Sequence, residues 1–308
     1  METLPSTHAN APQAIFLPMA LKLPFFLASR FVAAETLDDT LPVVDELKAD
    51  GLHVALDMLG EFVEDRSVAA AARDAYIQLT ERLSQRADHT GVYGTNISIK
   101  LSMMGQKIDE GFCEENMLQL LSVAKERDVF VRLDMESTDV TASTLRLFER
   151  AYAEYPDHVG IVLQAYLKRT RQDVERMCDL GARVRICKGA YKEPPALAYQ
   201  RMSEIRARFI DYMKMLISDA HYPGIATHDE EIIQATMDFT RAQQIDRDAF
   251  EFQMLYGMRP ERQREIAQGG HHMRVYVPYG EEWLPYYSRR LRERKENVWF
   301  VAKTLFQR

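Results

Sequence analysis

Near the C-terminus, Tyr286, Arg289, Arg290 and Glu293 follow helical spacing and can line one side of a helix. Two adjacent arginines suit a carboxylate, because each guanidinium is a planar fork that binds carboxylate oxygens in pairs and stays charged at any relevant pH. The competing reading is an exposed charged face, since the segment from Arg289 to Lys295 holds five basic residues. A second set of chemically capable residues recurs along the chain, each closing a short apolar run: Asp57, Lys100, Asp134, Gln164, Arg185 with Lys188, Thr227 with His228, Gln253, and Tyr276. One charged residue at such a position is more often a solvated loop residue than a catalytic one. A succession of them calls for an architecture that gathers them at one mouth.

The runs that carry these residues supply that architecture. Between Gly51 and Pro278, short β-branched stretches alternate with longer Ala/Leu-rich polar ones, the pattern of β-α units and a parallel sheet. About eight runs read as strands: Leu52 to Met58, Asn96 to Leu101, Val129 to Met135, Gly160 to Tyr166, Val184 to Cys187, Ile225 to Thr227, Phe250 to Met254 and Met273 to Val277. Helical periodicity is plain in Glu114 to Glu126, where Met117, Leu120, Leu121 and Ala124 share one face, and again in Ser203 to Ser218. Leu37 to Lys48 and Val68 to Leu83 read as extra helices before the barrel, and Glu281 to Lys295 as a closing helix. The fold class expected is α/β, a distorted (β/α)8 barrel. Residues 1–50 are expected as an N-terminal arm and helices packed on it, and 51–308 as the catalytic barrel, a single domain overall.

Composition agrees with an enzyme of small molecules. A chain of 308 residues with 46% hydrophobic content can bury a full core. A net charge of -7 and a pI near 5.7 argue against nucleic acid as partner. Cys113, Cys178 and Cys187 are widely spaced and odd in number, which suggests a reducing, cytoplasmic compartment. The apolar run Ala14 to Phe26 is broken by Pro18, Lys22 and Pro24 and is too short to span a bilayer. It reads as an arm packed on the barrel or a neighbouring subunit, with peripheral contact at the inner face of a membrane as the alternative.

Several strings together resemble the bacterial monofunctional proline dehydrogenase family. They are Asn96-Ile97-Ser98-Ile99-Lys100-Leu101, Val131-Arg132-Leu133-Asp134-Met135-Glu136, Gly160-Ile161-Val162-Leu163-Gln164-Ala165-Tyr166, Lys188-Gly189-Ala190-Tyr191, Ala226-Thr227-His228, Phe250-Glu251-Phe252-Gln253 and Tyr286-Tyr287-Ser288-Arg289-Arg290. The ordered set, beginning at Arg30-Phe31-Val32-Ala33, is far more specific than any one string. The resemblance implies a barrel that binds FAD, oxidises L-proline to 1-pyrroline-5-carboxylate and passes electrons to a quinone. It further implies that Lys100, Arg289 and Arg290 contact the substrate carboxylate, that Tyr276, Tyr286 and Leu255 shape the pocket over the ring, and that Glu293 positions the arginines. Asp134 and Arg185 match catalytic positions. Met135, Gln164, Arg185, Lys188, Gly189, Ala190, Thr227 and His228 match flavin contacts. At Ser137-Thr138 the family more often reads Asp-Ser, a local departure.

These residues suit that chemistry. The flavin accepts the hydride, so the protein must orient and tune rather than supply a nucleophile. Arg185 is the candidate cation for charge developing on the reduced ring. Lys188 and His228 suit a diphosphate, and Asp134 is expected to pair with Lys100. His53 and the His271-His272 pair form no metal set, so no catalytic metal is expected, and Cys187 reads as packing. Two other classes remain open: a Schiff-base aldolase built on Lys100 or Lys188, and a non-enzymatic ligand-binding barrel.

Overall fold

The computed structural model of the chain describes residues 24–86 and 93–293, with backbone alone for 291–293. Among these residues, eight parallel strands pair in sequence order and close on themselves, the last against the first. They are β1 (His53–Met58), β2 (Asn96–Ile99), β3 (Val131–Leu133), β4 (Val159–Gln164), β5 (Val184–Cys187), β6 (Gly224–Ala226), β7 (Glu251–Leu255) and β8 (His272–Tyr279). All eight expected runs are strands; Val184–Cys187 is matched residue for residue, and the others differ by one to a few residues at their ends. The main difference is at Leu101, which begins a 3-10 turn over Leu101–Met104 in place of ending β2.

The helices are α1 (Leu37–Ala49), α2 (Arg66–Ser84), α3 (Glu110–Glu126), α4 (Thr138–Glu154), α5 (Thr170–Asp179), α6 (Met202–Asp219), α7 (Glu230–Ala242), α8 (Pro260–Gln268) and α9 (Trp283–Glu293). One placement differs from the sequence reading. The helix expected over Val68 to Leu83 is α2, which joins β1 to β2 and is therefore the first crossover of the barrel, not an addition before it. A parallel pair requires such a crossover, and α2 supplies it. Among the described residues, only a 3-10 turn over Phe25–Leu27 and α1 precede the first strand. Polar side chains start several of them: Asp65, Asp109 and Asp229 each accept first-turn amides of α2, α3 and α7.

Strand alternation divides the barrel into two environments. Ile97, Ile99, Val131, Leu133, Val184, Ile186, Val275 and Val277 are buried in one large apolar cluster with the helices. The intervening residues reach across the lumen instead: Arg185 of β5 bonds Ser98 of β2, and Tyr276 of β8 bonds Asp134 beyond β3. Lower in the lumen, Arg274 pairs with Glu251 at 2.8 Å and donates to Val54 O and Gly94 O, so this buried charge is fully engaged.

A second, smaller apolar cluster fixes the closing helix. Trp283, Tyr286 and Tyr287 of α9 pack with Ala28, Phe31, Val32, Leu59 and Met258, and Trp283 Nε1 donates to Glu35. The segment beneath is itself tied to the end of β8, with Ala33 N–H donating to Pro278 O and Gly280 N–H to Ala34 O. Thus α9 stands over the C-terminal rim of the barrel on a platform made by residues 25–35.

Candidate active site

The C-terminal rim opens into a cavity of about 250 Å³. It brings together Lys100, Asp134, Met135, Gln164, Arg185, Lys188, Gly189, Ala190, His228, Leu255, Tyr276, Tyr286, Arg289 and Arg290. Thr227 lines a second cavity of about 460 Å³, which adjoins the first through Lys188, Ala226 and His228. The side chain of Glu293 lies outside the described residues, as does most of the apolar run from Ala14.

Two ion pairs organise the lumen. Lys100 Nζ lies 2.5 Å from Asp57 Oδ1, with both side chains buried. Burial would lower the lysine, but the charges of Asp57, Asp134 and Glu136 outweigh it and hold the ammonium above its ordinary range. The second pair joins Arg185 Nη1 to Asp134 Oδ1 at 2.9 Å, while Asp134 Oδ2 accepts from Tyr276 Oη at 2.7 Å. Burial first, and then Asp134 and Asp57, push the Tyr276 phenol well above its ordinary value, so it stays a donor. The Arg185 guanidinium also lies over the Tyr276 ring, 5.2 Å from its centroid.

This arrangement corrects the expected pairing of Asp134 with Lys100. Lys100 follows β2 and reaches the end of neighbouring β1, where Asp57 stands in register with Ser98. Asp134 faces across the lumen and is taken by Arg185 and Tyr276 from the opposite wall.

Glu61, in the loop after β1, holds Arg289 in a two-toothed pair, with Nη1 and Nη2 at 3.1 and 2.6 Å from its oxygens. That pair raises the arginine further, against the effect of burial. Arg290 packs over the Tyr286 ring at 5.3 Å. Glu61 was not singled out from the sequence, and no local signal marks it, since it sits three residues past the end of β1 in a loop without periodicity. Glu136 and Tyr191 were also missed as lining residues, although each lies inside a string already noted. Glu136 accepts from Ser102 N at 3.1 Å and Ser102 Oγ at 2.6 Å, and burial raises its carboxyl. Its carbonyl accepts from Gln164 Nε2 at 2.9 Å.

The β5 end is shaped for close approach. Gly189 has φ +115°, and a Cβ there would lie 2.2 Å from the Tyr166 ring, so only glycine fits. His228 Nε2 accepts from Leu255 N–H at 3.0 Å, which leaves Nδ1 as the ring nitrogen that carries a proton in the neutral form. Arg185 Nε is buried with no hydrogen-bond partner among the described residues. The chemistry on offer is therefore fixed cations, oriented donors and a rigid backbone cradle.

The chain is similar to known proteins over most of its length. A family model described as "Proline dehydrogenase" matches residues 40–303. Proline dehydrogenase 1 of Bacillus subtilis (strain 168) is 36% identical over 281 residues, 91% of this chain and 91% of its own. Proline dehydrogenase of Deinococcus radiodurans is 37% identical over 285 residues, 91% of this chain and 90% of its own. Among solved structures, proline utilization A (PutA) from Bdellovibrio bacteriovorus inactivated by N-propargylglycine is similar with a TM-score of 0.80 at 26% identity. That match covers 87% of this chain and 32% of the other.

Proposed function

The chain belongs to the proline dehydrogenase family, and on that premise we propose that it uses FAD to oxidise L-proline to 1-pyrroline-5-carboxylate and delivers the electrons to a quinone. It is an oxidoreductase acting on proline. The observation that carries the finer reading is the convergence on one cavity of a fixed lysine, a carboxylate-braced arginine and two rim arginines.

The residues present fit a flavin. The Gly189 cradle and the unpartnered Nε of buried Arg185 support it, as does the adjoining cavity of about 460 Å³ at Lys188, Thr227 and His228. Met135, Gln164, Arg185, Lys188, Gly189, Ala190, Thr227 and His228 would hold it. When bound, the flavin supplies the acceptor for the hydride that leaves the ring carbon beside nitrogen.

The chain's own part is orientation and charge. Lys100, Arg289 and Arg290 bind the proline carboxylate from two sides, while Leu255, Tyr276 and Tyr286 confine the ring. Asp134 braces Arg185 and Tyr276 so that neither reorganises during reaction, and Arg185 presents a preorganised cation to the reduced state. Asp134 and Arg185 are the catalytic residues of this reading.

A Schiff-base aldolase would need a lysine that gives up its proton easily. Lys100 is held above its ordinary range beside Asp57, the opposite condition. Among the described residues no helix is long and apolar enough to cross a membrane. A cytoplasmic enzyme whose apolar arm touches the inner membrane face would bring it to a lipid-soluble quinone, and that placement is part of the proposal. The test is anaerobic titration with L-proline and with hydroxyproline, read through flavin bleaching. Prompt bleaching by proline is expected, and a folded preparation that takes up no FAD would refute the reading.

A further inference from the structure

The segment 188–201 runs from β5 to α6 without helix or strand, and its Gly189, Ala190 and Tyr191 form part of the cavity wall. Backbone bonds secure its two ends. Tyr166 N–H donates to Lys188 O at 3.0 Å, and at the far end Tyr199 N–H donates to Tyr166 O at 2.8 Å and Lys168 N–H to Leu197 O at 2.9 Å. Between these ends the segment is tied to another loop of the rim by one side chain. Glu193 accepts from Thr138 N–H at 2.8 Å and from Thr138 Oγ at 2.5 Å.

Thr138 is the first residue of α4, and Ser137 before it makes no side-chain cap bond to the helix. The carboxylate of Glu193 therefore serves a free first-turn amide and faces the positive end of the helix, from a different loop. That α4 start directly follows Asp134, Met135 and Glu136, all in the cavity wall. One carboxylate thus links the two loops that carry the catalytic aspartate and the glycine cradle.

We propose that Glu193 is a positioning residue: its clamp on Thr138 holds Gly189 to Tyr191 against the cavity, and so sets the affinity for substrate and cofactor. The inference rests on the proposed flavin-dependent oxidation of proline. Arg185, Tyr276 and Asp134 are held by strands and by one another, independently of the clamp. Loss of the clamp acts on binding and leaves the limiting rate in place.

The test compares the holoenzyme with Glu193→Ala, Thr138→Val and Thr138→Ser. Hydrogen–deuterium exchange at amides 189–193 is expected to quicken by about tenfold or more in Glu193→Ala, the scale of a lost charge-assisted bond, while β3 and β5 exchange as before. The KM for proline rises several-fold with the limiting rate within about twofold, and Thr138→Ser, which keeps both donors, behaves as wild type. Unchanged exchange in Glu193→Ala overturns the proposal, as does faster exchange with an unchanged KM. If Glu193→Ala does not fold, Thr138→Val carries both readouts. Failure of the wild-type flavin to bleach with proline would instead remove the functional reading, and the exchange comparison would still decide whether the clamp holds the loop.

Discussion

Replacing Lys100 by methionine separates the structural and the substrate-binding roles of the lumen. The side chain keeps its length and loses its charge, so Asp57, 1% exposed and 2.5 Å from the departed ammonium, is left buried without its cation. Breaking a buried pair from one side costs roughly 3–5 kcal/mol when the remaining group stays charged. Burial already raises the Asp57 carboxyl from its ordinary 3.8, and Lys100 is the largest influence pulling it back. Without Lys100 the folded state prefers the protonated acid. A group whose folded pKa lies above its unfolded value favours folding at low pH, so Lys100→Met should be most stable in acid and lose about 1.4 kcal/mol for each pH unit above 3.8, until the folded value is passed. Urea unfolding at pH 5 and pH 8 measures this. The double variant Lys100→Met with Asp57→Asn leaves no charge at these two positions and should recover much of the loss, with the pH slope due to Asp57 gone. In both variants the KM for proline should rise, because the carboxylate has lost a cation. A double variant no more stable than the single one at pH 8 would refute the pair as the cause, and an unchanged KM would remove Lys100 from the substrate site.

Arg289→Met removes a forked cation and should raise the KM for proline by about ten- to a hundredfold with FAD retained. If the KM does not move, Arg289 serves Glu61 alone. Asp134→Asn loses one of the two oxygens that brace Arg185 and Tyr276, and stopped-flow bleaching at saturating proline should slow by about tenfold or more. An effect confined to proline affinity would contradict the catalytic assignment. Gly189→Ala forces a Cβ against the Tyr166 ring at φ +115°, and the purified protein should carry markedly less FAD per chain, read from its absorbance ratio. Full occupancy would deny the cradle. Against burial, Arg274 holds Glu251 down to about 2. That depressed carboxyl stabilises the fold fully above its usual 4.5 and ceases to do so as pH falls toward 2, so acid unfolding by circular dichroism should steepen in that window. A flat profile there would count against the pair.

Much of this was legible in the sequence for a physical reason. In a barrel, each strand carries its outward apolar residues and its rim residue in one short string, so Asp134, Gln164, Arg185 and Tyr276 announce their strand ends locally. The twin arginines were ambiguous as composition, and what resolves them is the apolar platform under α9, where Phe31 and Val32 lie some 250 positions away in sequence from Trp283 and Tyr286. Partner choice was not legible. Lys100 has Asp57, Asp134 and Glu136 within electrostatic reach, and only the register of β1 against β2 selects the first. Glu61 and Glu193 illustrate the same limit, because each acts on a loop or helix far along the chain and stands in a stretch without periodicity.

The location of these polar contacts also explains how the fold tolerates them. Charges occupy the lumen, where each meets a partner on a neighbouring or opposite strand, while the continuous apolar cluster lies outside the strands and beneath the helices. Burying an unpaired charge costs several kcal/mol, but a closed network recovers much of that through pairing and hydrogen bonds. The result is a rim whose cations are oriented before substrate arrives. Stability rests on Ile, Val and Leu contacts that the chemistry never touches, so substitutions such as Asp134→Asn can be expected to change rate with little effect on whether the barrel forms. Removal of Lys100 or Glu251 differs, because it leaves a buried partner without its counter-charge and with nothing in its place, whereas the amide left by Asp134→Asn keeps an oxygen that can accept from the equally buried Arg185.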